Sequence, residues 1–242
     1  MQPLLSIITV TWNCVATLEK TLCSVEAIKT DEMEYIIVDG VSTDGTLELA
    51  QRYGTLVDTL QSEPDRGIYH AMNKGVGLAK GRYVLFINGD DVLVADGFAT
   101  VTDSMAMGQG EIICATTYVG QLASPTETLV GKPWQLPFFN SIPHPSSFVR
   151  RELLLRSPFR EDLRIVSDYD FFLCAYLAGH SFRVLPVVTA LHQRGGASGD
   201  SHRSKVELEK VRRERLGWRY PLINSLAVIY RHCKNAMSVR PA

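Results

Sequence analysis

Apolar residues are distributed along this chain in two alternating patterns. Leu4-Leu5-Ser6-Ile7-Ile8-Thr9-Val10-Thr11 is a nearly unbroken run, which suits a strand covered on both faces. Trp12-Asn13 ends it, and Asn13 has the side chain of an N-cap for a helix from Val15 to about Glu26. Glu34 to Val38 predicts a second strand, stopped by the loop Asp39-Gly40-Val41-Ser42-Thr43-Asp44-Gly45; a helix follows over Thr46 to Arg52. Val57 to Gln61 predicts a weaker third strand. Ile68, Ala71, Met72 and Val76 fall at helical spacing, so a helix is expected over 68–80, closed by Gly81. Tyr83 to Ile87 is the fourth strand. Strands alternating with helices predict the α/β class: a Rossmann-like mixed, mainly parallel sheet flanked by helices.

After Asp91 the pattern loosens. A helix is expected over Gly97 to Met107, and strands over Gly110 to Ala115 and Thr117 to Leu122. Residues 123–147 hold five prolines and several aromatics, which reads as a long shaped loop. A helix begins near Ser167-Asp168 and ends at Gly179; a strand follows over Phe182 to Val188. Arg203 to Arg215 is a charged helix, and Pro221 to Tyr230 is apolar between Arg219 and Arg231. Residues 201–242 therefore form a C-terminal helical tail behind a body of residues 1–200.

The polar residues gather behind the strands: Thr9 and Thr11, Asp39, Asp65 and Arg66, then Asn88-Gly89-Asp90-Asp91. In a doubly wound sheet those loops share one edge, where ligands bind. Adjacent carboxylates at a strand end repel and are costly to desolvate. Asp90 and Asp91 are either an acidic turn or ligands of a hard divalent cation, Mg²⁺ or Mn²⁺, shared with a diphosphate. Asp39 is either a turn residue or an acceptor for the ring N–H of uracil, thymine or guanine. Asp168, at a helix start, is either a cap or a general base. His144 lies in the aromatic loop. His192 and Arg194 lie in a Gly-rich segment suited to closing over a diphosphate.

Charge adds one feature. The net formal charge of −1 over 242 residues is the sum of +7 in residues 202–242 and −8 in residues 1–201. The basic tail suggests an anionic surface, and residues 203–242 are candidates for peripheral membrane contact. Nucleic acid is excluded as a partner, because the tail lacks interleaved aromatics and any known module. The five cysteines show no metal spacing, and no apolar segment nears the roughly 20 residues of a membrane span. Together with the lack of a signal peptide, these features predict a cytoplasmic location, peripheral on the inner face of the cytoplasmic membrane.

Leu5 to Asn13, Val38 to Thr46, Asn73-Lys74-Gly75, Asn88-Gly89-Asp90-Asp91 and Ser167-Asp168-Tyr169-Asp170, in that order, resemble the family 2 glycosyltransferases of the GT-A fold. Glu63 to Gly75 and Arg194 to Ser198 look like the bacterial members that build colanic-acid-type exopolysaccharide and O-antigen repeats. The resemblance implies a nucleotide-sugar part (1–115), an acceptor part (116–200) and inversion at the anomeric carbon. It implies a UDP- or GDP-linked donor, a lipid-linked saccharide acceptor and Mn²⁺ or Mg²⁺. By position, Thr9, Thr11, Asn13, Asp39, Asp65, Arg66, Asn88, Gly89 and Asp90 would hold the nucleotide-sugar. Asp90 and Asp91 would hold the metal, and Asp168 would be the base. His144, His192 and Arg194 are candidates for acceptor or diphosphate contact. Two positions depart from the family pattern: Asn88 replaces its first acid, and Ser167 its usual Glu before the base. A sugar nucleotidyltransferase, or a degenerate scaffold in a polysaccharide assembly complex, are the competing readings.

Overall fold

The computed structural model describes residues 2–121, 123–192 and 201–238, apart from the side chains of residues 201 and 231–238. Three apolar runs form its centre: β1 (Leu5–Thr11), β2 (Met33–Asp39) and β4 (Tyr83–Phe86), in which every residue is buried. Their alternation sorts the side chains cleanly. Ile8, Val10, Ile36, Val38, Val84 and Phe86 face one layer, which includes helix α3 (Ile68–Leu78). Leu5, Ile7, Tyr35, Ile37, Tyr83 and Leu85 face the other, with helices α1 (Val15–Glu26), α2 (Thr46–Arg52) and α4 (Phe98–Ala106). Each fully buried Leu, Ile or Phe contributes about 1.5–3 kcal/mol, so the two-sided core fixes strand register.

Strand β3 (Thr59–Ser62) is a short outer edge, shifted by two residues from the expected start. The remaining strands are β5 (Val92–Leu93), β6 (Ile112–Gln121), β7 (Ser124–Val130), β8 (Ser147–Arg150) and β9 (Phe182–His192). They complete a sheet of order β3-β2-β1-β4-β8-β6-β9-β5, with β7 paired to β6. Among the described residues, β3, β2, β1 and β4 run parallel, as do β6 and β9. The four other pairings are antiparallel. The chain runs outward from β1 through β2 to β3, then returns to the far side of β1 as β4. This reversal is the topological switch point at which a crevice opens.

Three expectations are corrected. The two strands expected between 110 and 122 are one, β6, whose register against β9 shifts on either side of Thr116. Residues 123–147 are not one long loop: β7 is a strand with Pro125 on the sheet's rim, followed by short turns at Pro133–Gln135 and His144–Ser146. Asn13 does not cap α1. Its backbone is left-handed (φ 48°), and its Oδ1 accepts the Thr43 N–H at 2.9 Å. The Val15 N–H donates to Asp44 Oδ2 (3.1 Å) and the Cys14 N–H to Thr46 Oγ1 (2.9 Å), so the first two sheet-edge loops are laced together.

Helices α5 (Arg151–Arg156) and α6 (Ser167–Leu177) cover the β8 side. The C-terminal region continues as α7 (Ser201–Leu216) and α8 (Tyr220–Ser238). Helix α7 is docked on the body, not loose: Val211 is fully buried in the core layer of α3 and α6. Glu207 accepts the backbone N–H groups of Arg164, Ile165 and Val166 at 2.9–3.3 Å. No side chain of α6 caps its own N-terminus, and Glu207 supplies the acidic group that position favours.

Candidate active site

A cavity of about 1180 Å³ lies at the carboxyl edge of the parallel strands, over the switch point. Its walls include Thr11, Asn13, Asp65, Asn88, Gly89, Asp90, Asp91, His144, Asp168 and His192, so the structure brings most of the sequence-selected residues together. Thr9, Asp39 and Arg66 are not on its wall. Arg194 lies outside the described residues.

The end of the cavity where the nucleoside was expected is built from β1 and β2. Asp39 is fully buried and accepts four hydrogen bonds: from Thr11 Oγ1 (3.0 Å), Ser42 N–H (3.0 Å), Ser42 Oγ (2.5 Å) and Ser62 Oγ (2.7 Å). Burial pushes its pKa up, but the bonds from Ser42, Ser62 and Thr11 outweigh it and hold the carboxyl below the ordinary range. The carboxylate therefore locks the loop after β2 from beneath. Thr9 faces inward and accepts the Tyr35 hydroxyl at 2.9 Å. Arg66 turns outward to Glu161 (3.0 and 2.5 Å). The basic residue on the cavity wall here is instead Arg164, whose Nη1 donates to the Arg66 carbonyl at 2.5 Å. Asp65 is on the wall and packs close over Gly40: a Cβ at residue 40 would lie 2.5 Å from Asp65 Oδ2.

The acidic end follows β4. Asp90 is half-buried, and its carboxyl is raised above the ordinary range by burial first and by Asp91 second, with His192 opposing. Asp91 is fully buried, its Oδ1 2.7 Å from His192 Nδ1. That pairing ties the end of β9 to the loop after β4. Asn88 Oδ1 is buried and has no hydrogen-bond partner among the described residues. Asp90 and Asn88 offer oxygen ligands of the kind a hard cation takes, although among the described residues no group of three or more His, Cys, Asp or Glu is arranged to hold a metal ion. Asn88 keeps an oxygen donor where the family pattern has an acid, but not its charge.

Across the cavity, Asp168 occupies the first turn of α6. The Tyr69 hydroxyl sits 3.1 Å from Asp168 Oδ1 and 2.7 Å from the Ile165 carbonyl. Burial and the Asp168 charge raise the Tyr69 pKa well above its usual value, so the phenol stays protonated as a donor. His144 stacks on Phe86 (5.5 Å between ring centres) and meets Phe159 edge-on. Its Nε2 is buried without a partner among the described residues, and burial lowers its pKa against the pull of Asp168 and Asp91. The ring is therefore neutral.

Asp170 has a different role. Only 3% exposed, it forms a two-toothed bridge to Arg215 (2.8 and 2.7 Å) with Arg160 nearby at 3.7 Å. This joins α6 to α7. Removing one partner of a buried pair strands the other, so Asp170→Ala is expected to cost about 2–3 kcal/mol, given that Arg215 is partly solvated. Chemical denaturation would show the loss as a lower midpoint, and nucleotide affinity measured below that midpoint should hold.

Several wall residues give no signal in the sequence: Lys132 and Gln135 come from the turn after β7, and Tyr230 from α8, beside Phe139 of the aromatic segment. Tyr230 packs on Phe139 (5.7 Å) and its hydroxyl lies 3.4 Å from Gln135 Nε2.

The sheet, parallel on one side of its switch point and mixed on the other, with a cavity over that point, has the GT-A architecture. The solved structures most similar in fold agree. Staphylococcus aureus TarS in complex with UDP-GlcNAc superposes with a TM-score of 0.73 over 88% of this chain, at 18% identity. This chain spans 66% of that one. The Pyrobaculum calidifontis mannosyltransferase PcManGT, in complex with GDP-Man and Mn²⁺, gives 0.67 over the whole chain and 77% of its own, at 20% identity. The model of glycosyl transferase family 2 matches residues 6–164, and the chain belongs to that family. A Mycobacterium bovis PGL/p-HBAD biosynthesis glycosyltransferase is 29% identical over 86% of this chain and 84% of its own. A putative teichuronic acid biosynthesis glycosyltransferase of Bacillus subtilis, TuaG, is 30% identical over 58% of each.

Proposed function

We propose that this glycosyltransferase moves a sugar, with inversion, from a UDP- or GDP-linked donor to a hydroxyl of a lipid-linked saccharide in surface polysaccharide synthesis. The observation that carries the reading is the placement of Asp168 and Asp90 on the wall of one cavity, with Asp168 oriented by the Tyr69 hydroxyl. Relatives named for cell-surface glycan synthesis, and fold neighbours solved with nucleotide-sugars, support it.

Thr11, Asn13 and Asp65 wall the nucleoside end, and Gly89 lets the loop after β4 pack on Cys14, whose Sγ would lie 2.7 Å from a Cβ at residue 89. Asp90, with Asn88, would hold a divalent cation, which neutralises charge on the departing diphosphate when bound, while Asp91, expected as a second ligand, is buried against His192. Asp168 takes the proton from the acceptor hydroxyl as its oxygen attacks the anomeric carbon. The new C–O bond forms on the face opposite the breaking bond to the diphosphate, which inverts the configuration. The transition state has oxocarbenium character. His144, whose ring lines the cavity and stacks on Phe86, would meet the sugar as a neutral ring without adding charge.

The reading is tested by thermal shift with Mn²⁺ and UDP, GDP, dTDP, ADP or CMP. A ligand at a hundred times its dissociation constant stabilises by about 2.7 kcal/mol. Stabilisation by one diphosphate, followed by NMR assignment of the product's anomeric centre as inverted, would support the reading. A retained configuration would sink it.

A further inference from the structure

Helix α8 presents an apolar face outward. Trp218, just before it, and Leu222, Leu226 and Ile229 on it are 84%, 65%, 47% and 59% exposed. Their spacing of four, four and three residues sets them on one side of the helix. The opposite side holds the helix to the body: Ala227 is fully buried, Tyr220 is buried, and Tyr230 packs on Phe139. The exposed face therefore belongs to a docked helix.

Charge identifies what this face meets. From Gly217 to Ala242 the sequence holds no Asp or Glu, and among the described side chains Arg219 is the cation beside this face. The Arg219 guanidinium lies over the Trp218 ring at 5.4 Å, which pairs a cation with the aromatic side chain most favoured at a lipid–water boundary. The other arginines late in α7 face inward or sideways. Arg215 bridges to Asp170, Arg213 to Glu209, and Arg212 is buried. A second copy seated symmetrically on this face would set like cations against one another. Among the described residues no helix is long and apolar enough to cross a membrane.

We propose that α8, with Trp218, lies in the headgroup region of an anionic bilayer. The contact expected for all of residues 203–242 narrows to the face beginning at Trp218. Because Tyr230 also lines the cavity, docking brings the acceptor end of that cavity to the height at which a lipid-linked saccharide presents its hydroxyls. That purpose rests on the proposed acceptor class; the docking itself does not.

The test is co-sedimentation of the full chain with phosphatidylcholine vesicles, with and without phosphatidylglycerol. The protein is expected to pellet with the anionic vesicles, to stay in solution with neutral ones, and to release as salt rises from about 0.1 M to about 1 M. Partitioning should fall about tenfold or more in L222S/I229S, and about fivefold in R219Q. Metal-dependent stabilisation by the nucleoside diphosphate should be unchanged in both, which shows that the fold and donor site are intact. Wild type that ignores anionic vesicles, or L222S/I229S that pellets like wild type, would overturn the proposal. So would a dimer in sedimentation velocity that L222S/I229S dissolves, since the face would then meet a second copy. Failure of the transferase reading would leave vesicle binding in place, and failure of docking would leave nucleotide binding in place.

Discussion

Asp168→Asn should leave donor binding and thermal stability near wild type while lowering the transfer rate by about 10²–10⁴-fold, the usual contribution of a general base. The substitution keeps the shape and the oxygen that faces the Tyr69 hydroxyl 3.1 Å away, so the first turn of α6 has no reason to move. What it removes is the site to which the acceptor proton goes in the proposed mechanism. The measurement is kcat with saturating donor, beside nucleotide affinity by titration. Asp170→Asn is the internal control, because Asp170 is tied to Arg215 away from the cavity and its loss should register in stability instead. If Asp168→Asn kept its rate, the base would have to be another group on the wall.

Asp90→Ala should abolish the metal-dependent thermal stabilisation by nucleoside diphosphate and lower turnover by about 10³-fold, several kcal/mol of lost charge stabilisation. In the absence of ligand the same change should leave the fold intact or slightly steadier. The Asp90 carboxyl is raised by burial and by the charge of Asp91, so removing it relieves a repulsion. Opposite effects with and without ligand distinguish a ligand-holding acid from a structural one. Asp91 should behave differently, since its carboxylate is bound to His192 and its removal frees the end of β9. Stabilisation that survives in Asp90→Ala would shift metal binding elsewhere and favour a scaffold role.

The parallel half of the sheet was legible because burial on both faces leaves a continuous apolar run in β1, β2 and β4. Strand β7 was not, because six of its seven residues are exposed and its reason for being a strand is the partner β6. The common sheet edge predicted which loops would gather, and Thr11, Asp65, Asn88, Asp90 and Asp168 do line one cavity. The direction of each side chain was a separate matter. Asp39 is drawn under its own loop by Ser42 and Ser62, the latter 23 residues away, and Arg66 is drawn out by Glu161, 95 residues away. Arg164 and Tyr230 reach the wall through helix packing, for which local sequence carries no mark.

The grip of Glu207 on the amides of residues 164–166 bears on where this protein can be cut. The family match ends at Arg164, four residues before Asp168, and the basic segment reads on paper as an appendage. A shortened version ending near residue 200 would keep both wall-to-wall strands and the donor loops. It would also lose the clamp on α6 and expose the core beneath Val211. The practical boundary lies beyond Ala227, which is fully buried on α8, and a piece cut earlier is expected to hold a nucleotide yet misplace Asp168, the carboxylate proposed to turn holding into transfer.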